Sequence, residues 1–209
     1  MNQGNVVVFA GLSISQEEVT LYLPEATVFS PARCGDVLQA IKLQPNVMVL
    51  IDGKFGNTPT VWHSEILFAM SLGIIVIGCS SMGALRAAEL SQFGMIGSGK
   101  IYEAYLSGEI EGDDEVALVY DHQFNALNYA LVDIRETFSF AVKSGKLTDQ
   151  EAKALLAVFK ELSYKKRTLP DFKASAEKKD LDESMIKITE SILNTAFINL
   201  KHKESVETL

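Results

Sequence analysis

The stretch from Gly73 to Gln92, GIIVIGCSSMGALRAAELSQ, constrains the fold more than any other part of the chain. Ile74 to Ile77 is an unbroken run of branched apolar residues, the pattern of a strand buried on both faces. Gly78 ends it, Cys79, Ser80 and Ser81 make a turn of small residues, and from Met82 the residues Ala84, Leu85, Arg86, Ala87, Ala88, Glu89 and Leu90 favour helix. Such a strand, turn and helix aim unpaired backbone N–H groups and the positive end of a helix dipole at one point. That point suits an anion or a developing oxyanion.

The rest of the N-terminal part repeats the same unit. Short apolar runs at Val6–Ala10, Ala26–Phe29, Val47–Ile51, Ile74–Ile77 and Val116–Tyr120 alternate with helical periods. This alternation predicts an α/β fold of the Rossmann or flavodoxin-like kind, a parallel sheet with helices on both faces. Ser15 and Glu18 mark the start of a first helix, which Pro24 stops. Cys34–Leu43 reads as a second, with Val37, Leu38, Ile41 and Cys34 toward the core. Thr58 as cap and Pro59 at the first helical position start a third, with Trp62, Ile66 and Ala69 as its buried stripe and His63 in its second turn. Gly94–Gly99, GMIGSG, reads as a glycine-punctuated loop able to close over a ligand, followed by a short helix from Lys100 to Leu106.

Beyond about residue 125 the pattern is helical only, over residues 125–142, 148–164 and 181–200, which divides the chain into an α/β domain (1–124) and a helical region (125–209). Thr148 and Glu151 fit a capping box. Ser163–Lys179, polar and interrupted by Pro170, reads as a linker or mobile arm, and the last nine or so residues are expected to fray.

In a doubly wound sheet ligands bind beyond the carboxyl ends of the strands. Gly11, Asp52, Ser80 and Ser81 fall at that edge, with His63 close to it. Asp52, His63 and Ser81 are of the types that serve as acid, base and nucleophile, an order that varies among unrelated hydrolases. Cys79-x-Ser81-x-Gly83 also approaches a nucleophile elbow, with cysteine for the first glycine. Each residue has a plainer reading beside this one: Ser81 as helix cap, Asp52 bonding its own turn, His63 packed beside Trp62. Arg86 and Glu89, three apart, are either site residues or a structural ion pair.

A net charge of −8 with no dominant basic cluster argues against nucleic acid as a partner. Two cysteines, Cys34 and Cys79, are too few for a disulfide framework, lack metal-ligand spacing and are expected to be unjoined. With no signal core and no apolar run long enough to span a bilayer, the expectation is a cytoplasmic chain that engages no membrane.

The strings IDGKFGNTPTVWHSEILFAMSLGI, SSMGALRAAEL and FGMIGSGKIYEAYLSGEIEGDDEVA, in that order, resemble the core of the TfuA-like family, over about Val6 to Tyr120. Members of that family occur with YcaO-type ATP-dependent cyclodehydratases in the thioamidation of peptide backbones. The resemblance implies an accessory protein of such an enzyme, which liberates or delivers sulfur, for example by hydrolysing a carrier thiocarboxylate at Ser81, His63 and Asp52. The alternative is a non-catalytic module that recruits or activates the partner. Substrate-binding candidates are Gly11, Ser80, Met82, Gly83, Arg86, Glu89, Glu103 and Asp114, with Glu115 beside Asp114 in the DDEVA string. No cofactor and no metal are expected. A sulfur carrier protein or a precursor peptide is a further candidate partner, and the oligomeric state is left open, a homo-oligomer included.

Overall fold

The computed structural model describes residues 5–56 and 58–209, which divide into two compact units. The first comprises the described residues up to Asp113 together with Lys201–Leu209, and the second is Asp114–Leu200.

In the first unit five parallel strands, β1 (Val6–Phe9), β2 (Thr27–Phe29), β3 (Val47–Leu50), β4 (Ile75–Cys79) and β5 (Ile96–Ser98), lie in the order β2-β1-β3-β4-β5. This is the flavodoxin-like doubly wound order. Alternate residues of each strand point to opposite faces. Val7, Phe9, Met48, Leu50 and Val76 meet α2 (Asp36–Ile41), α3 (His63–Ser71) and α4 (Met82–Leu90) through Val37, Ala40, Ile66, Ala69, Ala87 and Leu90. Val8, Ala10, Val49, Ile51 and Cys79 form the other face, covered by Val19 of α1 (Gln16–Tyr22) and by Val206 and Leu209 at the end of the chain. The parallel α/β expectation is met on both faces.

Several local expectations give way to tertiary contacts. The fifth strand is not Val116–Tyr120 but Ile96–Ser98, inside the stretch read as a glycine loop. Its ladder to β4 pairs Ile77 with Ile96, Gly78 with Gly97 and Cys79 with Ser98. Gly97 is there because the Tyr102 ring passes over it, at 2.1 Å from where a Cβ would stand, so the residue that weakens the strand signal is one the strand requires. Val116 and Ala117 are buried without belonging to the sheet; a short apolar run reports burial, not strand.

The third helix starts at His63, not at Pro59, so His63 is in its first turn. Residues 58–62 stay extended because neighbours hold their carbonyls: Pro59 O accepts from the Cys34 N–H (3.0 Å) and Val61 O from the Arg86 Nε (3.2 Å). Trp62 is therefore no part of a buried stripe and is 58% exposed. Leu38, read as core, is likewise exposed on α2, where Val37 carries the buried face.

The second unit contains α6 (Leu131–Lys143), α7 (Asp149–Glu161), α8 (Leu169–Lys178) and α9 (Glu183–Thr195) around Leu131, Ile134, Phe138, Leu155, Phe159, Phe172, Ile192 and Leu193. Phe159 and Phe172 stack with centroids 4.4 Å apart. The segment read as a linker is thus mostly helix α8. Thr168 caps it by accepting from the Asp171 N–H, and Pro170 falls in the first turn, where a missing N–H costs nothing. The predicted capping box at α7 forms in both directions, Glu151 N–H to Thr148 Oγ1 (3.2 Å) and Thr148 N–H to Glu151 Oε2 (2.7 Å). Thr148→Ala is expected to cost about 1 kcal/mol of stability, read as a lower urea midpoint.

The last residues do not fray. They form α10 (Leu200–Thr208), and from Lys201 onward they belong to the α/β unit.

Candidate functional site

The carboxyl edge of the sheet is built from the residues that follow β1, β3 and β4. Asp52, just past β3, is fully buried. Its Oδ2 accepts from the main-chain N–H groups of Gly11 (3.1 Å), Leu12 (2.8 Å) and Ser13 (2.8 Å), and its Oδ1 from the Ser13 hydroxyl (2.6 Å). Three converging N–H groups after the first strand are an anion nest. Here the chain's own carboxylate fills it. Ser13, whose role nothing in the local sequence signals, completes the set.

At β4 the backbone approaches α4 closely. A Cβ on Gly78 would stand 2.1 Å from Gly83 O, and one on Gly83 would stand 1.7 Å from Leu50 O. Gly83 is required for this approach, and its N–H donates to Ile51 O (3.1 Å). Met82 is fully buried, its side chain filling the space over Gly53. Ser80 sits at φ +63, a conformation costing roughly 1–3 kcal/mol for a residue with a side chain, and its hydroxyl donates to Lys201 O (2.7 Å). Ser81 occupies the N-cap position of α4, yet its side chain makes no capping bond. It is 1% exposed, and its hydroxyl has no partner among the described residues.

A third focus of N–H groups at this edge is the start of α5 (Lys100–Ser107). It receives Glu204, whose Oε1 accepts from the Ile101 N–H (3.1 Å). Nothing in the sequence pattern selects Glu204: it lies in a polar run, KHKES, that reads as surface. The foci after β1 and before α5 are thus occupied by carboxylates of the same chain, and before α4 the Gly83 N–H is taken by Ile51 O.

His63, Arg86 and Glu89 meet elsewhere. Glu89 Oε2 is shared by His63 Nε2 (2.8 Å) and Arg86 Nη1 (2.5 Å). Arg86, 9% exposed, is anchored further by Val61 O and by the Thr60 hydroxyl (3.3 Å). Arg86 and Glu89 are thus an ion pair, as their spacing allowed, and the pair captures the histidine. Ser81 precedes Glu89 by eight positions along α4, about 12 Å of helix. Among the described residues no hydrogen bond links Ser81, His63 and Asp52; the hydroxyl of the first has no partner, the second holds Glu89 and the third holds residues 11–13.

The remaining candidates are dispersed. Gly11 serves Asp52 through its N–H. Glu103 is exposed on α5. Asp114 lies in the helical unit, where Arg167, fully buried, binds both its carbonyl (2.6 Å) and its carboxylate. Glu115 beside it is held by Arg135 through two bonds of 2.7 and 2.8 Å. The acidic run is a clasp within that unit. Neither arginine carried a sequence signal, because each partner is tens of residues away.

Both cysteines are free. Burial pushes the Cys79 thiol up to about 12, and burial, then the Glu65 carboxylate, raises that of Cys34. Neither is a poised thiolate. Among the described residues no group of three His, Cys, Asp or Glu side chains is arranged to hold a metal ion, and no helix is long and apolar enough to cross a membrane.

Comparison with known proteins gives one family: a model described as TfuA-like protein matches residues 52–168, more than half of the chain. That span runs from Asp52 through both the His63–Arg86–Glu89 cluster and the Asp114–Arg167 clasp. No curated protein matches.

Proposed function

The chain belongs to the TfuA-like family, and from that membership we propose that it is a cytoplasmic accessory protein of a YcaO-type enzyme in ATP-dependent thioamidation of a ribosomal peptide or protein backbone. Within that role it recruits or activates the partner. The observations that support this choice are the occupation of the N–H groups after β1 and before α5 by the chain's own Asp52 and Glu204, the Gly83 N–H bond to Ile51 O, and the commitment of His63 to Glu89. An oxyanion needs free donors and a nucleophile needs a base within reach. The groups offered outward are Trp62, at 58% exposure, and the half-exposed His63–Glu89 pair beside it. An exposed tryptophan flanked by polar groups is the composition of a protein contact, with the enzyme as main partner and a sulfur carrier or precursor peptide as further ones.

A second reading, hydrolysis of a carrier thiocarboxylate at Ser81 to liberate sulfur, is favoured by the unpartnered Ser81 hydroxyl and by the positive φ of Ser80 in an elbow-like turn. Reconstituted thioamidation separates the two. Ser81 makes no capping bond, so Ser81→Ala should cost less than the roughly 1 kcal/mol of a lost cap and chiefly test chemistry. In the recruiting reading Ser81→Ala supports turnover at the wild-type rate, whereas Trp62→Ala weakens association with the enzyme. A drop on the order of 100-fold or more in Ser81→Ala would replace the recruiting reading with the hydrolytic one.

A further inference from the structure

Helix α10 closes the carboxyl edge of the α/β unit, and its contacts run along its whole length. Lys201 O accepts from the Ser80 hydroxyl (2.7 Å), His202 Nε2 meets Glu18 Oε1 of α1 (2.9 Å), and the Thr208 hydroxyl donates to Ser98 Oγ (3.0 Å). Val206 and Leu209 pack on the sheet. In the turn that α10 engages, Cys79 and Ser80 are fully buried and Ser81 is 1% exposed.

Glu204 is not fully satisfied in this contact. It is 2% exposed, its Oε1 takes the Ile101 N–H, and its Oε2 is buried with no hydrogen-bond partner among the described residues. Gly99, at φ +93, leaves the room the carboxyl needs: a Cβ there would stand 2.4 Å from Oε2. An ionised carboxylate with one oxygen unpaired inside a protein is disfavoured, and a protonated one far less. Burial accordingly pushes the Glu204 carboxyl up from an ordinary 4.5 to about 7, helped by Glu207 one turn on and opposed by the N–H groups of Ile101 and Lys100 and the charge of Lys100. From the strand side the facing titratable group is the Cys79 thiol, which burial keeps protonated and which bonds Thr208.

We propose that α10 is a proton-latched strap over the turn at residues 78–83, closed while Glu204 carries its proton and released, uncovering Cys79, Ser80 and Ser81, when Glu204 gives the proton up. The closed state binds the proton more tightly than the open one. Closure is therefore strongest below about pH 4.5, weakens as pH rises toward about 7, and changes little beyond. The latch does not depend on the function proposed above, since its readout is exposure of a thiol in the isolated chain.

The test uses the 209-residue chain with Cys34→Ser, in which Cys79 is the only thiol, labelled by a disulfide reagent under native conditions. Dividing each rate by that of the urea-unfolded chain at the same pH removes the titration of the thiol itself. From about pH 5 to about pH 7.5 the normalised rate is expected to rise on the order of 50-fold. The opening should depend only weakly on urea, as a local release does. Glu204→Gln should abolish the rise, and where that variant fails to fold the pH dependence of the parent chain decides. A rise below about 3-fold, a urea dependence equal to that of global unfolding, or the same rise in Glu204→Gln overturns the proposal.

Discussion

Gly83→Ala is expected to prevent the α/β unit from reaching its native packing. The added Cβ would stand 1.7 Å from Leu50 O and 2.6 Å from Leu50 C, with Gly78 Cα at 3.3 Å. These are main-chain atoms of β3 and β4, held in a ladder that pairs Leu50 with Gly78, so no side chain can swing aside to admit the methyl group. Overpacking where side chains yield costs about 1–3 kcal/mol. Here the strands themselves must part or α4 must lift, taking with it the Gly83 N–H bond to Ile51, and the expected cost exceeds about 4 kcal/mol. Urea unfolding followed by far-UV circular dichroism reads it, or loss of soluble protein where the cost exceeds the total stability. Gly35→Ala is the control: its φ is +91 but nothing lies within 4 Å, so only backbone strain of roughly 1–2 kcal/mol applies. A Gly83→Ala chain no less stable than Gly35→Ala contradicts the close approach described here.

Asp52→Ala carries the second large effect, and it bears on what Asp52 is for. The substitution strips the acceptor from the N–H groups of Gly11, Leu12 and Ser13 and from the Ser13 hydroxyl, in a place where Asp52 itself is fully buried. Unpaired buried donors cost about 1–3 kcal/mol each before relaxation. With partial relaxation of the loop the expected loss is about 3–5 kcal/mol, comparable to breaking a buried pair. Asp52→Asn keeps one acceptor oxygen and turns an NH2 toward donors, so it should fall between Asp52→Ala and the parent. Ser13→Ala removes a single bond and should cost about 1 kcal/mol. Urea midpoints of the three variants give the order directly. A carboxylate kept for chemistry alone would be removable with little loss, or with a gain in stability. A small effect of Asp52→Ala would restore it as a free acid of the site.

The two experiments bracket the same edge of the sheet. Gly83 shows how tightly β3, β4 and α4 close, and Asp52 shows that the loop after β1 is fastened to the residue after β3. At these two places the edge is closely packed and the donors of residues 11–13 are satisfied. That is the physical ground for reading the chain as a partner for another protein's chemistry.

What the sequence determined by itself is what depends on neighbours in the chain. The branched runs at Val6, Val47 and Ile74, separated by helical periods, dictate a parallel α/β sheet because strand and helix periodicities differ and short crossovers leave few topologies. Ser15 and Thr148 cap their helices as their spacing to Glu18 and Glu151 implies. The Arg86–Glu89 pair follows from positions three apart on one helix. The place of Asp52 and of the Ser80–Ser81 turn at the carboxyl edge follows from being the next residues after a strand.

What only the tertiary structure decided is which partner each of those residues takes. Asp52 binds residues about 40 positions earlier, Glu204 one more than 100 positions earlier, and Arg167 one 53 positions earlier. No local pattern encodes such pairs. The same holds where a local signal pointed elsewhere: Ile96–Ser98 becomes a strand through pairing with β4 despite its glycines, Val116–Tyr120 does not join the sheet despite its apolar run, and the polar tail becomes a docked helix because Val206 and Leu209 find the sheet. Propensity biases a segment by tenths of a kcal/mol per residue, whereas burying a side chain or satisfying a buried polar group is worth one to a few. Burial and pairing therefore override propensity wherever they compete, and both are supplied by residues far away in the chain.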